Sequence, residues 1–218
     1  LEGTLRDVPM ADLGEYWPPN LAPIARDWVL SNIRQGQVNE GNFVLRIRPE
    51  DFKRAALPDD ALDLALRFEG LTTRYLPELP LLTEAAGTAR MSVNKLDISV
   101  EQGRVNSLEL SEGRVLLDNL AGEAPDADIA FVVSGPVQEG LSILDMEPFG
   151  FATLLGVDPA GLSGEMATRA RITFPLEEEI DPKDVRFAAA ANVRDFAMQR
   201  GIGGLPLDKG TLSLSIDA

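Results

Sequence analysis

The chain has 218 residues, 44% apolar and 25% charged, long enough to bury a core in one or two domains. Its 35 acidic against 20 basic residues give a net charge of −15, which excludes phosphate-neutralising nucleic-acid binding and electrostatic docking on an anionic membrane. Cysteine and histidine are both absent, which rules out disulfides, thiolate metal sites, Cys nucleophiles and Ser-His or Cys-His machinery.

After a short lead, PMADLGEYWPP reads as one or two helical turns stopped by Pro18-Pro19. Asn20 can cap a second helix with Pro23 in its first turn. Leu21, Ile24, Ala25, Trp28, Val29 and Ile33 then share one packed face, and Gly36 supplies the stop.

From there the period changes to two. NFVLRI sets Phe43, Leu45 and Ile47 on one side. ALDLALRFEGLTTRY alternates Leu62, Leu64, Leu66 and Phe68 against Asp63, Arg67 and Glu69. Extended as far as Tyr75 it would run about 50 Å at ~3.3 Å per residue. Most strands are shorter, so a long or bent strand is expected. GTARMSV, KLDISV, RVNSLEL, RVLLDNL and ADIAFVV continue the alternation, with EQGR and SEGR as hairpin turns in which Gly takes positive φ. The pattern is a meandering antiparallel sheet with one apolar face.

A second helical interruption spans SGPVQEGLSILDMEPFGFATLLGV. It starts at Pro136, is divided by Pro148, and carries Phe151, Leu154 and Leu155 in its later half. MATRARITF, DVRFAAAANVRDF and GTLSLSI return to strand, placing Phe187, Leu212, Leu214 and Ile216 on the inner face, with GIGGLP as a flexible turn.

The order of these pieces occurs twice. Gly87 of GTARMSV matches Gly210 of GTLSLSI (210 − 87 = 123), and Pro9 matches Pro136 (136 − 9 = 127). The expected organisation is a helix-plus-sheet module over residues 1–135 and a second over 136–218, cut short at its C-terminus and packed into the same continuous sheet. The expected fold class is α+β, mostly β: a long curved antiparallel sheet with two short broken-helix insertions, its two related strand modules forming a groove.

No motif selects a catalytic centre. Arg26-Asp27 beside Tyr16 and Trp28 reads as packing, with Trp28 in the core and the charged pair capping or solvated. Asp59-Asp60, Asp126 and Asp128, and the run Glu177 to Asp181 lack calcium-loop spacing and read as solvated turns. The Gly201–Gly204 stretch precedes no helix, so it is no phosphate cradle. Neither cofactor nor metal is called for, and a non-enzymatic protein is expected.

Several pieces do point to a family. DLGEYWPPNLAPIARDWVLSNIRQGQV resembles the start of a domain in the large AsmA-like proteins of Gram-negative bacteria, in the YhdP-type subgroup related to TamB. RFEGLTTRYLPELPLLTEAAGTARMSV, VSGPVQEGLSIL, ITFPL and LDKGTLSLSIDA extend the resemblance over nearly the whole chain. The Trp-Pro-Pro and Ala-Arg-Asp-Trp-Val pieces are its specific part. Members of this family resemble repeating-groove lipid-transfer proteins that are tethered to the inner membrane and extend into the periplasm.

The resemblance implies a curved sheet whose apolar inner face conducts phospholipid acyl chains toward the outer membrane, with other modules of the same chain beside it. It implies a periplasmic segment whose anchor lies outside this piece, and no catalytic motif. Phe43, Leu45, Ile47, Leu62, Leu64, Leu66, Phe68, Phe187, Leu212, Leu214 and Ile216 are the candidate groove residues. A structural or adaptor module in outer-membrane assembly would share the fold without needing lipid.

Overall fold

Ten strands follow one another in a single antiparallel meander, each hydrogen-bonded only to its sequence neighbours. They are β1 (Glu2–Pro9), β2 (Ile33–Leu45), β3 (Leu62–Thr73), β4 (Leu82–Met91), β5 (Leu96–Val105), β6 (Leu108–Asp118), β7 (Asp126–Pro136), β8 (Leu162–Pro175), β9 (Arg186–Met198) and β10 (Leu207–Asp217). The sheet is curved and unclosed, with β1 and β10 as its two edges. This computed structural model describes residues 1–217 apart from 18, 20–22, 49, 52–56, 123, 148–152, 154–157, 177–180 and 200–205. Pro148, Phe151, Leu154 and Leu155, the Glu177–Ile180 run and the Gly201–Gly204 turn therefore lie outside the described residues. So do Asn20, Leu21 and the side chains of Ile24 and Ala25.

The helices occupy two of the strand connections. A 3-10 turn (Met10–Asp12), α1 (Leu13–Tyr16) and α2 (Pro23–Asn32) join β1 to β2, and α3 (Val137–Leu144) joins β7 to β8. Because the strands alternate in direction, both helical connections fall at the same end of the sheet. Trp17 stops α1: as the residue before a proline it is pushed out of the helical region, and it sits at φ −99° and ψ 106°. Pro23 opens α2, where its missing N–H costs nothing. Arg26 ties the two helices together: its Nε donates to the Trp17 carbonyl at 3.0 Å and its Nη2 to the Gly14 carbonyl at 3.2 Å. A cation on the last carbonyls of α1 also complements the helix dipole.

Several expectations change. The short lead is strand β1, whose mixed polar sequence gave no period. Gly36 does not stop α2; it lies inside β2 at φ +114°, where a Cβ would come within 2.8 Å of the Leu71 Cα and 2.9 Å of the Glu69 carbonyl. EQGR and SEGR are strand interior in β5 and β6, and the turn between them is Asn106-Ser107, with Asn106 at φ +51°. Asn reaches this region at little cost, so it replaces the expected Gly. β3 ends at Thr73 rather than Tyr75, bent by a register shift around Gly70. Trp28 is 46% exposed, outside the core; Trp17 and Val29 are the packed residues of this region.

Within the strands, left-handed backbone positions come in pairs at nearly constant separation: Asp7 and Gly135 (135 − 7 = 128), Gly36 and Gly164 (164 − 36 = 128), Gly70 and Asp195 (195 − 70 = 125), Glu84 and Lys209 (209 − 84 = 125). Irregularities of this kind bend and twist a strand. The four strands β1–β4 thus share these left-handed positions with β7–β10, and β5 and β6 carry none within the strand.

Candidate functional site

Cross-strand register assigns every side chain to a face. One transverse row runs Leu66, Ala89, Ile98, Val115, Ile129 and Ile172 from β3 to β8, each residue paired with the next, and ends on Phe187 of β9. The next row runs Phe43, Leu64, Met91, Leu96, Leu117, Ala127 and Phe174. On the other face Arg90, Asp97 and Asp128 fall between the two rows, and Arg67, Ser99, Arg114 and Arg171 flank the first row on its far side. A single phase of alternation, carried from strand to strand, makes one face apolar and the other charged.

The charged face is laced by ion pairs. Arg114 donates to both carboxylate oxygens of Asp97 at 3.0 and 2.8 Å, and Arg171 to both oxygens of Asp128 at 2.8 and 2.5 Å. These hydrogen bonds, reinforced by the guanidinium charges, hold both carboxyl pKa values below the usual range. Arg114 also acts on Asp128, so the groups form a zigzag across β5, β6, β7 and β8.

The apolar face is covered unevenly. Beneath α1 and α2 lies a core of Val8, Met10, Leu13, Val38, Phe68, Leu71 and Ala85. Beneath α3 lies a smaller one of Leu162, Val193 and Phe196, packed by Val137, Leu141 and Met166. Gly140 lets α3 approach β8, since a Cβ there would stand 2.7 Å from the Met166 sulfur. Among the described residues the helices pack on β2, β7 and β8, with no comparable cover over β4, β5 and β6. Substantial contact between strands is confined to neighbours, so the sheet does not fold on itself as a sandwich. Ile98, Val100, Val115, Leu117, Ile129, Phe131 and Val133 are only partly buried.

Of the candidate groove residues, Phe43, Leu45, Leu62, Leu64, Leu66 and Phe68 share this face at the β1 side, paired as Phe43 with Leu64 and Leu45 with Leu62. Leu62 and Phe68 are buried, at 6% and 5% exposure. Phe187, Leu212, Leu214 and Ile216 share it at the β10 side, and Leu214 and Ile216 on the edge strand are more than half exposed. Ile47 lies two residues beyond the end of β2 rather than in a strand, and is 40% exposed. The central residues of β5–β7 were not singled out from the sequence. Their signal was present as Leu96-x-Ile98-x-Val100 and Val115-x-Leu117, but in IAFVV both faces are apolar, which hides the alternation of Ile129, Phe131 and Val133.

Two concavities stand out, of about 450 and 250 Å³, both shallow and open. The larger is lined by Asp126, Thr173, Asp184 and Arg186 at the end of the sheet away from the helices, without a nucleophile–base arrangement. Among the described residues there is no group of three or more acidic side chains placed to hold a metal ion, and no helix long and apolar enough to cross a membrane.

A curved sheet with one apolar face is what the AsmA-like resemblance implied, and comparison with family models decides the family. The model of the YhdP protein family matches residues 1–217. The chain belongs to the YhdP family. No curated protein and no solved structure gives a match. YhdP membership places the chain among AsmA-like proteins of the cell envelope with roles related to lipid transport, a family of transport and structural proteins rather than enzymes.

Proposed function

We propose that this YhdP-family chain is a periplasmic segment that conducts phospholipid acyl chains along its apolar sheet face, between the inner and the outer membrane. The observation that carries this reading is the apolar lane over β4–β6, which among the described residues has no comparable helix cover. Large apolar faces left open in soluble proteins mark ligand or partner surfaces, and this one extends over several strands with an unbroken aliphatic lining. The candidates Phe43, Leu45, Ile47, Leu62, Leu64, Leu66, Phe68, Phe187, Leu212, Leu214 and Ile216 extend the lane toward both edges. Ile98, Val115, Ile129 and Phe131 form its middle.

The free edges of β1 and β10 take neighbouring modules of the same chain, and the tether to the inner membrane lies in the rest of the protein. The chain holds two related modules, a reading supported by the paired left-handed positions of β1–β4 and β7–β10, which start the second copy at β7 rather than at residue 136. No step of this function requires bond chemistry.

The test is lipid extraction and mass spectrometry on protein purified from envelopes without harsh detergent. Phospholipid should accompany the wild type, and Val115→Glu, which sets a charge in the middle of the lane, should remove most of it while the fold persists. Equal lipid on both proteins, or none on either, would favour the alternative of a structural spacer or assembly adaptor.

A further inference from the structure

The next row of the apolar face toward the helices is not uniform. From β3 to β7 it reads Phe68, Gly87, Val100, Gly113, Phe131, each residue in register with the next. Two aromatic posts therefore stand four strand spacings apart, about 19 Å at ~4.8 Å per strand. The floor between them is glycine, valine and glycine. Ile98 and Val115 form one wall in the adjacent row. Leu82 and Leu110 form the other: a Cβ on Gly103 would come within 2.8 Å of Leu82 Cδ1, and one on Gly113 within 3.4 Å of Leu110 Cδ2.

We infer that this is a bay for one acyl chain, lying across the strands between Phe68 and Phe131, so that the groove takes lipid at a discrete station. The inference rests on the lipid-conducting reading above and adds where a chain stops and how long it is. An acyl chain in one leaflet spans about 15 Å, half of the ~30 Å hydrocarbon core. That matches the gap once half the thickness of each flanking ring is taken from it. The lining is entirely apolar, and it continues the buried core under α1 and α2, against which Ile98 and Val100 already pack. An extended peptide is a poor occupant: the floor strands pair with neighbours on both sides and offer its backbone no hydrogen-bond partner, whereas an alkyl chain needs none.

The bay predicts a length cut-off. Protein exchanged against phosphatidylcholine vesicles carrying lauroyl, palmitoyl or arachidoyl chains is isolated, and the lipid retained per chain is counted by mass spectrometry. Each buried methylene is worth about fourfold in affinity. Retention should rise steeply from lauroyl to palmitoyl and level off at arachidoyl, when the gap is full. Val100→Trp, whose indole can lie over Gly113, should lower the palmitoyl-over-lauroyl preference at least tenfold. Ser99→Trp adds the same bulk on the opposite face and should leave it unchanged.

Retention that climbs without a break through arachidoyl, or a Val100→Trp protein that behaves like Ser99→Trp, overturns the bay yet leaves lipid conduction standing. A wild type that retains no vesicle lipid sinks both. The length series on the wild type decides the matter even if the tryptophan variant fails to fold.

Discussion

Phe68 and Phe131 are the same residue type, on the same face and in the same transverse row, yet they have different surroundings. Phe68 is 5% exposed within the core under α1 and α2, while Phe131 stands only partly buried, beside strands without comparable helix cover among the described residues. Their strands alternate in the same way, and their backbones sit in the same sheet. What differs is whether the chain supplies its own lid. Alternation therefore builds the face, and the helical insertions decide which part of it is core and which part is left for something else.

The largest effects should appear where the lid is. Val38 is 1% exposed, and Val38→Asp should prevent folding, since an unpaired buried carboxylate costs more than about 4 kcal/mol. Phe68→Ala should cost about 3–5 kcal/mol in urea unfolding, by lost burial and the cavity left behind. Phe131→Ala should cost less than half of that and should instead reduce bound lipid. Equal losses at the two phenylalanines would mean that the lane has a lid of its own, and the distinction between core and groove would fail.

Next come the positions that bend both flanks. Gly36→Ala and Gly164→Ala each force a side chain into left-handed backbone beside a neighbouring strand, at a cost of about 1–3 kcal/mol in urea midpoint multiplied by slope. Similar losses at the two sites would support a shared bending plan for β1–β4 and β7–β10; a silent Gly164→Ala would break the parallel.

Arg26→Ala should cost about 1–2 kcal/mol, since it removes two hydrogen bonds from a charged donor to the end of α1. It should increase the amide hydrogen exchange of α1 and α2 and leave β5–β7 unchanged. Arg26 is thus a clip for the lid.

The smallest effect belongs to the charged face. Asp97 and Asp128 have folded pKa values held down by Arg114 and Arg171. Their contribution is fully present above the unfolded carboxyl value of about 4 and is lost as pH falls through the lower folded values. The double variant Asp97→Asn, Asp128→Asn should be slightly less stable than wild type at neutral pH in thermal melts. The two curves should converge in acid and in high salt, as expected of partly exposed pairs.

Much of this was legible in the residues because one physical rule, the period of two, was written clearly in Leu62-x-Leu64-x-Leu66-x-Phe68 and in Leu212-x-Leu214-x-Ile216. The proline break at Trp17-Pro18 and the helix start at Pro136 were equally plain, since proline acts locally. What was hidden depends on partners distant in sequence. β1 has no apolar period of its own and is a strand because β2 offers it a ladder. Gly36 looks like a helix stop, and its bulge inside β2 makes sense only against Leu71 of β3. Trp28 lies at helical spacing with Val29 and Ile33, but α2 rolls so that Val29 faces the core, with Arg26 fixed on α1. The uncovered lane is the least legible feature, because cover is a property of what lies above a strand and not of the strand itself.

The most direct test uses two adjacent residues. Ile129 faces the apolar lane and Ala130 the charged side, between Arg114 and Arg171. A photo-crosslinking amino acid placed at one position or the other, irradiated in the full-length protein in intact cells, reports what each face touches. The account predicts phospholipid adducts at 129 and almost none at 130. Equal labelling at the two positions, or protein adducts in place of lipid at 129, would contradict it.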